Sequence, residues 1–151
     1  MKKYILIDIK SLSSILSSKN QTSYVMTDAS IKINKGSCIG IVGESGSGKT
    51  QLLKAISGVQ EMIPGIVEGQ VNFYFNKNKF EMYSNKNGKY KLSKHHKMLK
   101  KELIGFIPQD PKSYLNLYWS IKKIFKETYR LHKQEISFDE FIKKYLSQVD
   151  I

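Results

Sequence analysis

The 151-residue chain has a single cysteine, Cys38, a single arginine, Arg130, and only three prolines. One cysteine excludes an internal disulfide and any zinc site built on thiolates. Cys38 stands in the apolar run Cys38-Ile39-Gly40-Ile41-Val42, where a small buried thiol is expected. The three histidines, His95, His96 and His132, do not make a metal set, because the adjacent pair points to different faces of any regular element. No run approaches the roughly 20 consecutive apolar residues that span a bilayer. The start, Met1-Lys2-Lys3-Tyr4-Ile5-Leu6-Ile7, begins like a signal peptide, but Asp8 and Lys10 end the apolar run too early. It reads as the first strand of a cytosolic protein. Acid is scarce too, with 13 Asp and Glu against 25 Lys and Arg, a net charge of +12. Such a surplus raises nucleic acid and anionic membrane surfaces as partners. A lone arginine argues against specific nucleic-acid binding, since arginine is the residue suited to bidentate phosphate and base contacts. The lysines are spread along the chain and read as a solvated basic surface.

What is present suffices for one domain with a real core: 40% apolar and 25% charged residues. Residues 4–10 read as a strand and the Ser-rich residues 11–23 as a turn or loop. Residues 25–33 form a second strand by alternation, and Asn34-Lys35-Gly36 is a turn signal. Residues 37–42 are nearly continuously apolar, as in a strand buried on both faces. Leu52, Leu53 and Ile56 carry helical spacing through residues 49–57, and Gly58 stops the helix. Pro64-Gly65 marks a loop, and residues 70–75 alternate as a half-exposed strand. The Asn- and Lys-rich residues 76–91 read as a long hairpin or insertion that protrudes from the fold. Residues 93–101 make a short helix capped by Ser93, and residues 103–107 an apolar strand ended by Pro108. From residue 113 the pattern is helical, with Ile121, Ile124 and Phe125 on one face and Phe138, Phe141, Ile142 and Tyr145 on another. The expected fold class is α/β with an added β subdomain.

The strongest signal is Gly43-Glu44-Ser45-Gly46-Ser47-Gly48-Lys49-Thr50, which matches G-x-x-x-x-G-K-[ST] between an expected buried strand and an expected helix. Glycines let the backbone wrap so that successive N–H groups face phosphate oxygens. The following helix N-terminus adds partial positive charge. Lys49 suits the β- and γ-phosphates of a nucleotide, and the Thr50 hydroxyl suits Mg²⁺. A GTPase is disfavoured, because Asn76-Lys77-Asn78-Lys79 and Asn85-Lys86-Asn87-Gly88 both lack the final Asp of a base-reading motif. A small-molecule kinase is disfavoured by the lone Arg130.

The segment from Ser37 to Thr50 resembles the ATP-binding subunits of ABC transporters, including the Gly-Glu-Ser-Gly start of importers of peptides and nickel. Ile104-Gly105-Phe106-Ile107-Pro108-Gln109-Asp110-Pro111 resembles the family's glutamine loop. Lys112-Ser113-Tyr114-Leu115-Asn116-Leu117 is similar to the stretch that follows it in oligopeptide, dipeptide and nickel ATPases, with Tyr114 and Leu117 as departures. The resemblance implies a P-loop NTPase core with an N-terminal antiparallel β subdomain: residues 1–36 the β region, 37–75 the loop, helix and next strand, 76–101 the insertion, and 102–151 the glutamine loop and start of a helical subdomain. It implies ATP and Mg²⁺ as cofactors, with Gln109 near Mg²⁺ and the attacking water. It also implies membrane permease subunits and a second ATP-binding subunit as partners, and a peripheral place on the cytoplasmic face of the cell membrane. Leu16 falls where the family offers an aromatic ring to adenine, and Tyr24 is the nearest substitute, although a core or packing role is the favoured reading of Tyr24.

The family's apolar run ending in Asp-Glu, its Leu-Ser-Gly-Gly-Gln signature and its switch histidine do not follow Gln109. Tyr4-Ile5-Leu6-Ile7-Asp8 mimics the first, but Ile9 replaces the Glu. The expectation is a truncated or split gene product, or a fragment, whose second half comes from a separate chain and which does not hydrolyse ATP alone. The alternative is a catalytically dead remnant or interaction module that docks on a membrane permease.

Overall fold

The computed structural model describes residues 4–18, 21–59, 65–131 and 135–149. They fall into two compact units, Met1–Gly105 and Phe106–Ile151. Pro64 of the expected loop and His132 lie outside the described residues.

The first unit is built on a four-stranded antiparallel sheet in the order β2-β1-β3-β4. Strand β1 (Ile5–Ser18) pairs with β2 (Gln21–Asn34) on one edge and with β3 (Ile66–Phe75) on the other. Strand β4 (Asn78–Glu81) closes the far side of β3. Alternation does the sorting. Ile9 stands between Ile31 and Val71, and Ile7 between Ile33 and Phe73, so these residues share one face of the sheet. Ile9, Val71 and Phe73 are buried there.

In the Ser-rich segment, residues 11–18 and 21–23 are strand rather than loop, which corrects the expectation there, and residues 19 and 20 lie outside the described residues. Its hydroxyls explain why. The ladder between β1 and β2 is broken by several register shifts, and Ser11 and Asp28 take positive φ. At these bulges side-chain oxygens take the N–H groups that the ladder drops: Ser11 N–H donates to Ser30 Oγ at 2.9 Å, and Asp28 N–H to Ser13 Oγ at 3.1 Å. Across from the Ser11 bulge lies Gly69, with φ +91°, where a Cβ would run into the β1 backbone at Lys10, Ser11 and Leu12.

Helix α1 (Lys49–Ser57) lies where its spacing placed it and ends on left-handed Gly58. Ala55 is fully buried, and Leu52 and Ile56 pack against the same core. The rest of that core comes from an unexpected source. Met82, Tyr83 and Leu99 are buried with it, so the Lys/Asn-rich segment is part of the fold and not a protrusion. Strands β5 (Tyr83–Lys86) and β6 (Lys89–Leu92) form a hairpin whose turn residues Asn87 and Gly88 both have positive φ. Helix α2 (His96–Glu102) follows, with Ser93 just outside it, its Oγ accepting from His95 N–H. The buried Tyr83 hydroxyl donates to the Ala55 carbonyl at 2.8 Å, which ties the hairpin to the last turn of α1.

Two expected strands are not strands. Residues 37–42 run without a ladder partner, Val42 is 92% exposed, and Cys38 is exposed instead of buried. Residues 103–107 have no ladder either, and Ile107 is 89% exposed. The physical reason is shared. A strand buried on both faces needs neighbours on both edges, and no strand among the described residues offers one.

The second unit holds α3 (Ile121–Leu131) and α4 (Phe138–Leu146), preceded by a single 3-10 turn at Pro111–Tyr114. An aromatic cluster joins the helices: Phe125 and Tyr129 of α3 meet Phe138 and Phe141 of α4 with centroids 5.4 to 6.2 Å apart. Ile121, expected on that face, is exposed. Helix α4 starts with a capping box, Ser137 Oγ accepting from Glu140 N–H at 3.3 Å while the Glu140 carboxylate accepts from Ser137 N–H at 2.9 Å. The Ser137 hydroxyl, which also donates to the Glu140 carboxylate at 2.8 Å, and after it the Ser137 N–H hold that carboxyl below its ordinary range.

Replacing Tyr83 by Phe tests the role of the hairpin. It removes one of the two donors to the Ala55 carbonyl, which keeps the Gly58 N–H at 3.3 Å, so unfolding by urea should show a loss of about 1 kcal/mol. Burial also pushes the Tyr83 phenol far above its ordinary range. The unfolded chain then loses that proton first as pH rises past about 10, so stability falls there. The decline should be shallower in Tyr83→Phe.

Candidate nucleotide-phosphate site

The loop Gly43 to Gly48 leads directly into α1, and its residues lie on the surface. Gly46 and Gly48 have φ of +83° and +87°, a region that L side chains rarely enter. Their surroundings differ. Gly46 has open space where a Cβ would be, whereas a Cβ on Gly48 would collide with the Val25 carbonyl oxygen. A Cβ on Gly43 would come within 2.8 Å of Ser47 Oγ across the mouth of the loop.

The Val25 contact has a local cause. Ser14 pairs with Met26, but Ile15 pairs with Tyr24, which leaves Val25 as the extra residue of a β-bulge. The bulge therefore sits against the last glycine of the loop. No sequence signal announces it, because a bulge depends on the register of two strands and not on the residues of one.

Lys49 is the first residue of α1, and its ammonium donates to the Gly43 carbonyl at 2.7 Å and the Glu44 carbonyl at 2.6 Å. Ser47 Oγ lies 3.4 Å away. One lysine thus spans the loop from its end to its beginning. Ser47 N–H donates to the Glu44 carbonyl, a tight turn that includes Ser45. No side chain caps α1, and its first turn contains no acidic residue. The first helical bond runs from Leu52 N–H to the Gly48 carbonyl at 2.9 Å, which leaves the N–H groups before it for a ligand. Thr50 is exposed in that turn. Such a loop is suited to a polyphosphate: glycines where side chains would obstruct, a cation bridging the rim, and unmet helix N–H groups.

Gln109 belongs to the second unit, and the structure describes it there. It is exposed, at a bend just before the 3-10 turn. The turn is braced by Asp110, whose Oδ1 accepts from Lys112 N–H at 3.2 Å and whose carbonyl accepts from Ser113 Oγ at 2.8 Å. Phe106 and Tyr114 meet edge to face at 6.3 Å around it. Leu16 lies opposite Ser23, and Tyr24 opposite Ile15. Tyr24 is 67% exposed, which removes the packing role considered for it.

Comparison with known proteins gives the family. The family model described as ABC transporter matches residues 26–150. The oligopeptide transport ATP-binding protein OppD of Haemophilus influenzae is 34% identical over 141 residues, covering 91% of this chain and 40% of that protein. OppF of the same organism, also an oligopeptide transport ATP-binding protein, is 31% identical over 136 residues, 90% of this chain and 36% of its own length. The methionine import ATP-binding protein MetN of Streptococcus thermophilus is 41% identical over 56 residues, 37% of this chain and 16% of that protein. The chain thus spans two fifths or less of the length of these relatives. No solved structure matches significantly. With the phosphate-type loop entering α1, the antiparallel sheet beside it and a family match across most of its length, the chain belongs to the ABC transporter family and carries part of its α/β ATPase domain.

Proposed function

We propose that this chain is the nucleotide-binding portion of an ABC importer's ATP-binding subunit, with peptides or nickel as the cargo class. The observation that carries the reading is the loop itself. Its glycines, the bridging Lys49 and the uncapped α1 converge on one exposed anion site. Gly43, Glu44, Ser45, Gly46, Ser47, Gly48, Lys49 and Thr50 would hold the phosphates. Lys49 would exchange its loop carbonyls for phosphate oxygens, and the Thr50 hydroxyl with the Gln109 amide would serve Mg²⁺. Bound Mg-ATP would supply a phosphoryl group whose charge these donors neutralise. An exposed Tyr24, one strand residue from the bulge against Gly48, supports a stacking surface for the base.

Cargo is the least constrained part. OppD and OppF are named for oligopeptide transport and MetN for methionine import. The Gln109-Asp110-Pro111 turn and the stretch after it favour the peptide and nickel type. Partners follow from the family: permease subunits at the cytoplasmic face of the cell membrane, a second ATP-binding subunit, and the polypeptide that carries the signature, the Asp-Glu strand and the switch histidine. The unpaired residues 37–42 suit a strand that such polypeptide would flank. Without those groups, these 151 residues should bind Mg-ATP weakly and hydrolyse it negligibly. A second reading, a non-catalytic module docked on a permease, draws on the exposed Ile107, Leu117 and Tyr118 beside Gln109. It predicts co-purification with a permease that is indifferent to nucleotide.

Lys49→Ala should abolish ATP binding in calorimetry, and unchanged affinity would contradict the site. Gly48→Ala should lower stability by about 2 kcal/mol or more and weaken binding, through clash and backbone strain together. Gly46→Ala should cost only the strain, about 1 kcal/mol. Tyr24→Ala should weaken ATP by about 1–3 kcal/mol while leaving inorganic triphosphate unaffected. Equal losses for both ligands would remove Tyr24 from the base site.

A further inference from the structure

Helix α3 uses only part of its circumference in packing. Phe125 and Tyr129 face α4, and on another side lies a groove of about 520 Å³ lined by Trp119, Lys123, Lys126, Glu127, Arg130 and Leu131. The positions recur at three- and four-residue intervals, so they form one stripe along the helix. Three cations stand in it against one carboxylate. Among the described residues none of the three forms an ion pair. The chain's sole tryptophan and sole arginine both lie here. Lys123 Nζ sits 4.3 Å from the centroid of the Trp119 ring, which holds an aromatic surface and a cation together at the mouth.

We propose that this stripe is a docking surface for the anionic phospholipid headgroups of a membrane. The inference rests on the reading of the chain as a subunit at the cytoplasmic face of a membrane, and charge selects the occupant. Cytoplasmic loops of membrane proteins carry an excess of lysine and arginine, so a permease loop would meet the stripe with like charge. The lipid surface at that face is negative and attracts clustered basic residues on a helix. Tryptophan beside them suits the boundary between headgroups and acyl chains. Single-stranded nucleic acid fits less well. It asks for open aromatic faces on which bases stack, and a face of the single tryptophan is taken by Lys123. Phe125 and Tyr129 of α3 are committed to α4, so apart from Trp119 at the headgroup boundary the contact is electrostatic and lateral.

The sole tryptophan reports on its own site. Emission from Trp119 in the full chain should shift to the blue with vesicles of phosphatidylcholine containing phosphatidylglycerol, and not with phosphatidylcholine alone. The shift should disappear as salt is raised. The triple variant Lys123→Gln, Lys126→Gln, Arg130→Gln should lose roughly a hundredfold in vesicle affinity by co-sedimentation. Lys86→Gln, Lys89→Gln, Lys91→Gln removes the same charge from the β5–β6 hairpin and should lose less than about tenfold. No blue shift in the unmodified chain would overturn the proposal, whatever the variants do. Equal losses in the two triple variants would overturn it as well, since bulk charge would then suffice. So would tighter binding to a single-stranded RNA oligonucleotide than to vesicles at matched phosphate and salt. Lys49→Ala should leave vesicle binding intact while removing nucleotide. Failure of the lipid surface and failure of the nucleotide reading are therefore separate results.

Discussion

At Gly48 the chain passes so close to the Val25 carbonyl that no side chain fits, and the geometry of the phosphate loop depends on that approach. The loop is not backed by a paired strand, because residues 37–42 have no ladder partner among the described residues. It is fixed from its other end. The bulge in β2 at Val25 meets the loop where it becomes helix, and Lys49 draws the start of the loop back to that point through Gly43 and Glu44. A glycine with positive φ satisfies both demands at once, since it accepts the left-handed turn and the short contact. On the proposed reading, binding of an anion would then need little backbone rearrangement.

Helix α1 has only nine residues, too short to be stable alone, and must be held by tertiary packing. One side of that packing is the sheet, through Ile9, Leu12, Val71 and Phe73. The other comes from the segment after β4. Met82 and Leu92 lie against Gly58 at the helix end, and Tyr83 bonds the Ala55 carbonyl. Lysine-rich composition hides this role. The lysines of β6 are exposed while Tyr90 and Leu92 between and after them are half-buried, so the segment shows a charged exterior over an apolar face.

The legible parts of the fold were those set by local rules. Helix α1 and its Gly58 stop follow from spacing and cap chemistry, and the glycine loop from its motif. The errors arose where partners decide. Serines in residues 11–18 look like a loop until the Ser13 and Ser30 hydroxyls are seen to satisfy the bulged backbone. Residues 37–42 and 103–107 read as buried strands because they are apolar, yet apolar composition does not supply neighbours for their edges. In the candidate site, that residues 43–50 form one loop leading into a helix was legible. The support from Val25 was not, since it arises from a register shift between β1 and β2.

The central claim is that residues 43–50 bind the phosphates of ATP. Backbone amide NMR during titration with Mg-ATP tests it most directly. The account predicts that the largest shifts fall on Gly46, Gly48, Lys49 and Thr50, whose N–H groups the loop and the uncapped helix present to an anion. If those amides stay in place at saturating ATP, or if the largest shifts fall instead on Lys123, Lys126 and Arg130, the account is contradicted.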